Sequence, residues 1–198
     1  MSLIALWDLG NVVVQWSPER IHAMLNLPAT KLDILKTELF EKLWLDLDRG
    51  ITDEAAVAAQ LGAETDLSVE DVLQCFETIR ESLVDFPESI DLIHQMKAAG
   101  IPMYVLSNMS TVNAAFLRQR SYFDLFDGIV ISAHEKLMKP ETELFQVVLD
   151  RYRLDAEKIV FMDDSLSNIN AARSLGMQGV HFDASERCYA AVRKHFNL

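Results

Sequence analysis

The chain has 198 residues, half of them hydrophobic and about a quarter charged, with a net charge of −12. That length and composition can bury one ordinary core and exclude a disordered chain. The acidic balance opposes nucleic-acid backbones and anionic lipid surfaces, which are bound largely through Lys and Arg, and no stretch approaches the roughly 20 apolar residues of a membrane span.

Leu3 to Leu9 is the first apolar run, and it runs into Leu6-Trp7-Asp8-Leu9-Gly10-Asn11-Val12. It is nearly continuous in hydrophobicity rather than alternating, as expected of a strand covered on both faces. The start carries no basic region and nothing like a cleavage site. Cys75 and Cys188 are far apart in helix-like stretches and read as buried free thiols of a reducing compartment, so a cytoplasmic location is expected.

From about Ser17 to Asp85 the signals are helical only. Ser17-Pro18-Glu19 starts one helix, Thr30 another, Thr52-Asp53-Glu54 a third that ends near Gly62, and Ser68 with Asp71 a fourth carrying Val69, Val72, Leu73, Phe76, Ile79 and Leu83. The aromatics Trp16, Phe40 and Trp44 fit either a pocket lining or, as helical spacing more often means, core packing. The expected division is a helical insert over 17–85 and a core made of 1–16 and 86–198.

The core resumes with a helix over Glu88 to Ala99, closed by Gly100. Four further strand-like runs follow: Ile101 to Ser107, Gly128 to Ser132, Lys158 to Met162 and Gly179 to Phe182. Helical patterns over Thr111 to Tyr122, Glu141 to Tyr152 and Ser165 to Leu175 lie between them. Strand and helix alternate, which predicts an α/β fold with a doubly wound parallel sheet.

The candidate chemistry stands just after the strands: Asp8, then Ser107-Asn108, Lys139-Pro140 and Asp163-Asp164-Ser165. In an open parallel sheet the carboxyl ends of the strands meet in one crevice, where ligands bind. Each group also has a plainer reading. Asp8 beside Gly10-Asn11 fits a turn, Ser107-Asn108 and Asp163-Asp164 fit helix caps, and Lys139 fits a solvated surface.

These four segments, in this order, resemble the four motifs of the haloacid dehalogenase superfamily, and the helical insert resembles its helical cap. The opening Asp-Leu-Gly-Asn-Val, the Lys-Pro pair and Asp163-Asp164-Ser165-Leu166-Ser167-Asn168 with Ala171-Ala172 resemble the branch that includes bacterial sugar-phosphate phosphatases of the glucose-1-phosphate type. The resemblance implies a magnesium-dependent phosphatase of small phosphorylated metabolites with Asp8 as nucleophile. It implies magnesium held by Asp8, the Gly10 carbonyl and Asp164, with Asp163 as a further or outer ligand. Ser107, the Asn108 backbone and Lys139 are implied to hold the phosphoryl oxygens.

The departure is Gly10, where phosphatases of the superfamily usually carry a second Asp that serves as general acid and base. Dehalogenases and phosphonate-cleaving members also lack that Asp, so a carbon-halogen hydrolase and a catalytically weak phospho-ligand or protein-binding relative are the alternative readings. The acidic pair Asp163-Asp164 favours the metal-dependent phosphatase, because without a cation three carboxylates would crowd Lys139. If position 10 supplies no proton, esters with good leaving groups should suffer least; water or a residue of the cap is the other source. None of the five histidines shows metal-ligand spacing, and none is assigned a role; His134, between the third strand and Lys139, is the one whose position could approach the site.

Overall fold

The structure is a computed structural model and describes residues 3–198, so the first two residues of the expected core segment 1–16 lie outside the described residues. Five strands, β1 (Ile4–Trp7), β2 (Met103–Ser107), β3 (Gly128–Ile131), β4 (Ile159–Asp163) and β5 (Gln178–His181), form one parallel sheet in the order β3-β2-β1-β4-β5. Successive residues point to opposite faces, and both faces are covered. Ala5, Trp7, Val105, Val160 and Met162 join one buried cluster, and Leu6, Leu106, Ile159 and Phe161 join the other. This is why the strand runs are apolar throughout rather than alternating.

Helices α1 (Pro18–Met24), α2 (Ala29–Ile34), α3 (Trp44–Arg49), α4 (Glu54–Glu64) and α5 (Val69–Ser82) lie between β1 and β2, with a π-helical stretch, Leu35–Leu43, joining α2 to α3. Ser17 and Asp53 cap α1 and α4, and Ser68 and Asp71 form a reciprocal capping box on α5. Such caps are worth about 1 kcal/mol each. The expected start at Thr30 falls one residue late, because α2 begins at Ala29 after Pro28. The helices bury Ile21, Leu35, Leu39, Leu47, Val57, Leu61, Phe76 and Ile79 against one another. At about 1.5–3 kcal/mol for each fully buried large apolar side chain, this insert has a hydrophobic core of its own. Val69 and Leu73, expected on the packed face of α5, are instead exposed at 39%.

Returning to the sheet, α6 (Pro87–Ala98) ends at Gly100 with φ 71°, the left-handed conformation its position predicts. The remaining helices are α7 (Thr111–Leu117), α8 (Ser132–Glu135), α9 (Thr142–Tyr152), α10 (Leu166–Ser174) and α11 (Glu186–Phe196). The single helix expected over Thr111 to Tyr122 breaks after α7 and resumes as a 3-10 turn, Ser121–Leu125.

The two leads into the insert run side by side. Gln15 N donates to Val84 O at 2.8 Å, and Phe86 N donates to Val13 O at 2.9 Å. Arg120 donates to both the Leu83 carbonyl and Asp85, and Tyr122 Oη donates to Asp85 at 2.8 Å, fixing the second lead to the sheet layer. Both cysteines are buried and free. No helix among the described residues is long and apolar enough to cross a membrane.

Candidate active site

Strand register assembles the acidic centre. Trp7 of β1 pairs with Met162 of β4, so Asp8 and Asp163, one residue further along each strand, stand side by side at the carboxyl edge of the sheet. Two like charges at such spacing repel. The ammonium of Lys139 lies between them, 2.8 Å from Asp8 Oδ1 and 2.7 Å from Asp163 Oδ2. Lys139 is 4% exposed, so the surface-lysine reading fails. Its nearness to the two carboxylates raises its pKa against the opposing effect of burial.

Lys139 is aimed by its own backbone. Asn108, just past β2, donates from Nδ2 to the Lys139 carbonyl at 2.9 Å and accepts from the Lys139 N–H at 2.8 Å. The following Lys139–Pro140 peptide is cis. Ser107 and Asn108 do not cap the next helix; Ser110 does. Ser107 is 1% exposed and its hydroxyl has no hydrogen-bond partner among the described residues, yet it is near enough to Asp8 to favour the ionised carboxylate.

Asp163 and Asp164 divide their work. Asp163 Oδ1 accepts from Ser165 N at 2.8 Å and from Asn168 Nδ2 at 2.9 Å, while Oδ2 accepts from Lys139 and from Asn168 at 3.1 Å. Its oxygens are thus engaged by the protein. Asp164 is only partly buried and accepts one bond, from Asn11 Nδ2 at 3.0 Å. Asn11, at φ 53°, also accepts from Trp16 N at 2.9 Å, which ties the acidic centre to the aromatic wall. One carboxylate oxygen each of Asp8, Asp163 and Asp164 lies within 4.8 Å of the others. Burial pushes the Asp8 carboxyl up to about 7, with Asp163 adding to the rise and Lys139 opposing it.

Above this floor lies a cavity of about 320 Å³ lined by Asp8, Gly10, Asn11, Asn108, Lys139 and Asp164 below, and by Trp16, Trp44, Asp48, Leu83, Met109 and Asn113 above and beside them. Trp16 and Trp44 stack with centroids 4.7 Å apart, and Phe40 stacks on Trp44 at 5.5 Å. Core packing thus describes all three, and Trp16 and Trp44 also form a wall of the cavity. Asn113 is 4% exposed and its Oδ1 accepts no hydrogen bond from the described residues. His134 is exposed on α8 and does not line the cavity.

Sequence reasoning missed Asp48 and Asn113. Asp48 is 8% exposed, and burial pushes its carboxyl up to about 7 against the influence of the Trp44 side chain and the Ser110 amide. A signal for it was present: Phe40, Trp44 and Asp48 recur every four residues, the spacing that places side chains along one helix face.

Comparison with known proteins agrees with this architecture. A family model described as haloacid dehalogenase-like hydrolase matches residues 7–176. Over 182 residues the chain is 29% identical to the sesquiterpene phosphatase astK of Aspergillus oryzae, covering 91% of this chain and 90% of that one. It is 30% identical over 179 residues to the drimenol cyclase drtB of Aspergillus calidoustus, covering 88% of this chain and 33% of that longer protein. The fold is that of the HAD family enzyme BT-2542 of Bacteroides thetaiotaomicron, solved in complex with magnesium and inorganic phosphate. The TM-score is 0.77 and the identity 22%, with 94% of this chain and 96% of that one covered. The chain belongs to the haloacid dehalogenase-like hydrolases.

Proposed function

We propose that the chain is a magnesium-dependent phosphatase of small phosphate monoesters, with Asp8 as the nucleophile and the helices of residues 17–85 as a cap over the substrate. One observation carries the reading: three carboxylates gather within 4.8 Å of one another at the carboxyl edge of a parallel sheet, and a single buried ammonium bridges two of them. Three anions against one cation leave room for a divalent ion, and an all-oxygen donor set suits magnesium. Asp8, Asp164 and the Gly10 carbonyl would hold it, while Asp163, whose oxygens are engaged, orients Lys139 from outside the ion's shell. When bound, the ion neutralises charge on the carboxylates and on the phosphoryl oxygens.

The protein's own groups supply the rest. Asp8 Oδ1 is engaged by Lys139 and by Leu9 N at 2.7 Å, which leaves Oδ2 for the incoming phosphorus. Lys139 and the unpartnered Ser107 hydroxyl stabilise negative charge on the phosphoryl group as it is transferred. Trp16, Trp44, Leu83 and Met109 accept an organic portion with an apolar face, and Asn113 Oδ1 accepts a hydroxyl from it. Terpenoid alcohols fit this wall, as the name of the Aspergillus oryzae relative suggests, and so do sugars that present a C–H face to an indole.

The test is phosphate release from a panel of sugar and terpenoid monophosphates, with magnesium and with a chelator, repeated on Asp8→Asn. Turnover that needs the metal and falls at least about 10³-fold in the variant is the expected result. Metal-independent halide release from 2-halo acids would point instead to the dehalogenase, and no turnover of either class to a binding protein.

A further inference from the structure

The proposed reaction expels an alkoxide, which needs a proton, and position 10 has no side chain to give one. The remaining groups on the cavity floor are committed: Asp8 to phosphorus, Asp164 to the ion, and Lys139 to two carboxylates at 2.8 and 2.7 Å. One other carboxyl group lines the cavity, and it comes from the insert rather than the sheet.

That group is Asp48, at the end of α3, and its placement is built. The backbone carbonyl of Asp48 accepts from Ser132 Oγ at 2.5 Å, and the same hydroxyl accepts from Met109 N at 2.8 Å, so the helix end is tied to the segment after β2. Arg49 forks onto Glu141 at 2.5 and 3.1 Å, just before α9. Gly50 follows at φ 69° and packs so closely that a Cβ there would lie 2.4 Å from the Ala133 carbonyl oxygen. The Lys136 ammonium donates to the Gly50 carbonyl. Three residues in succession anchor the roof to the floor and hold Asp48 in the lining of the cavity.

We propose that Asp48 is the general acid and base of this site, a catalytic carboxyl carried by the insert in place of the one missing at Gly10. The inference rests on the phosphatase reading above. In the first step Asp8 Oδ2 forms a bond to phosphorus, the ester P–O bond breaks, and the leaving oxygen takes the Asp48 proton to depart as the alcohol. In the second, water attacks phosphorus and gives a proton back to Asp48 as the Asp8–phosphorus bond breaks. Hydrogen phosphate leaves, and both carboxyl groups return to their starting states. No Lys, Arg or His among the described residues pairs with Asp48; burial and the charge of Asp8 oppose its anion, while the Trp44 side chain, the Ser110 amide and the charge of Lys139 favour it more weakly. Burial holds the carboxyl near neutrality, the range that serves both donation and return of a proton.

The experiment compares an alkyl phosphate with acetyl phosphate, whose leaving group needs no proton, in the magnesium-loaded protein. Asp48→Asn should lower kcat/KM for the alkyl ester about 10²–10³-fold and change that for acetyl phosphate by less than about 5-fold. Gly10 has open space, the nearest atom to a Cβ being Trp16 Cβ at 3.9 Å, so Gly10→Asp combined with Asp48→Asn should restore at least about 10-fold of the alkyl activity. An equal loss on both esters, an unchanged alkyl rate, or no recovery in the double variant would overturn the assignment. Failure of the unsubstituted chain to release phosphate from either ester would overturn the phosphatase reading, and this assignment with it.

Discussion

On the floor of the cavity Asp163 accepts four hydrogen bonds and Lys139 bridges two carboxylates, whereas in the roof Asp48 is equally buried and has no cation beside it. The floor's Asp8 and Asp163 stand at the ends of adjacent strands whose register brings them together, and Lys139 reaches them from the turn that Asn108 holds in place. The roof stands on a helix tied to the sheet layer through Ser132, Lys136, Glu141 and the close contact at Gly50. Burial raises the carboxyl in both places, to about 7 at Asp8 and at Asp48, so the two differ in company. On the floor an ammonium and two further carboxylates surround Asp8, a set that invites a divalent cation, while Asp48 stands without a second carboxylate or ammonium paired to it.

Removing the central ammonium is the most severe way to break this contrast. Lys139→Met leaves Asp8 and Asp163 facing each other uncompensated, and loss of one partner from a buried ion pair costs about 3–5 kcal/mol. A urea midpoint lowered accordingly, with phosphate release lost, is expected; an unchanged midpoint would mean that pairing does not hold the floor.

Gly50→Ala is expected to cost less, about 1–2 kcal/mol, for forcing a side chain into the left-handed region. Its main effect should be to lift Asp48 away from the floor. Turnover of alkyl esters should then fall more than that of acetyl phosphate, while circular dichroism stays native. Equal rates would show that the helix end needs no anchor.

Asp48→Asn should have the smallest effect on folding and the opposite sign. The folded protein holds the Asp48 proton up to about pH 7, whereas the unfolded chain gives it up around 3.8. Stability therefore falls as pH rises through that window, and the loss is complete above it. The neutral amide avoids the loss, so the variant should melt about 2–5 °C higher than the unsubstituted chain at pH 8, with the gap closing below pH 4. A lower melting temperature at pH 8 would mean that the Asp48 anion is stabilised by its surroundings.

The same contrast explains what could be read from the chain alone. Asp8, Ser107, Lys139 and Asp163-Asp164 each adjoin a strand end or the helix that follows one, and an α/β alternation brings such positions to one edge whatever lies between. All five strands and the all-helical character of the insert followed from the lengths and periods of the apolar runs. The roof was not legible in this way, because helical periodicity identifies a buried face without saying which other element it meets. Trp44 is equally consistent with core and cavity by spacing, and only the π-helical stretch before it and the clamp at Ser132 settle the direction of α3. Asn113 lay within a correctly expected helix, yet no local pattern separates an amide facing a cavity from one facing water.

The two leads that join insert and sheet pass each other as a ladder, Gln15 to Val84 and Phe86 to Val13. A segment that leaves and returns at a single doorway makes little demand on the length or path of whatever lies beyond it. Another helical module grafted between those rungs would leave the strand order and the Asp8–Lys139–Asp163 cluster undisturbed. To restore chemistry it would need only to bring a carboxyl group back over them and offer Ser132 a carbonyl to hold.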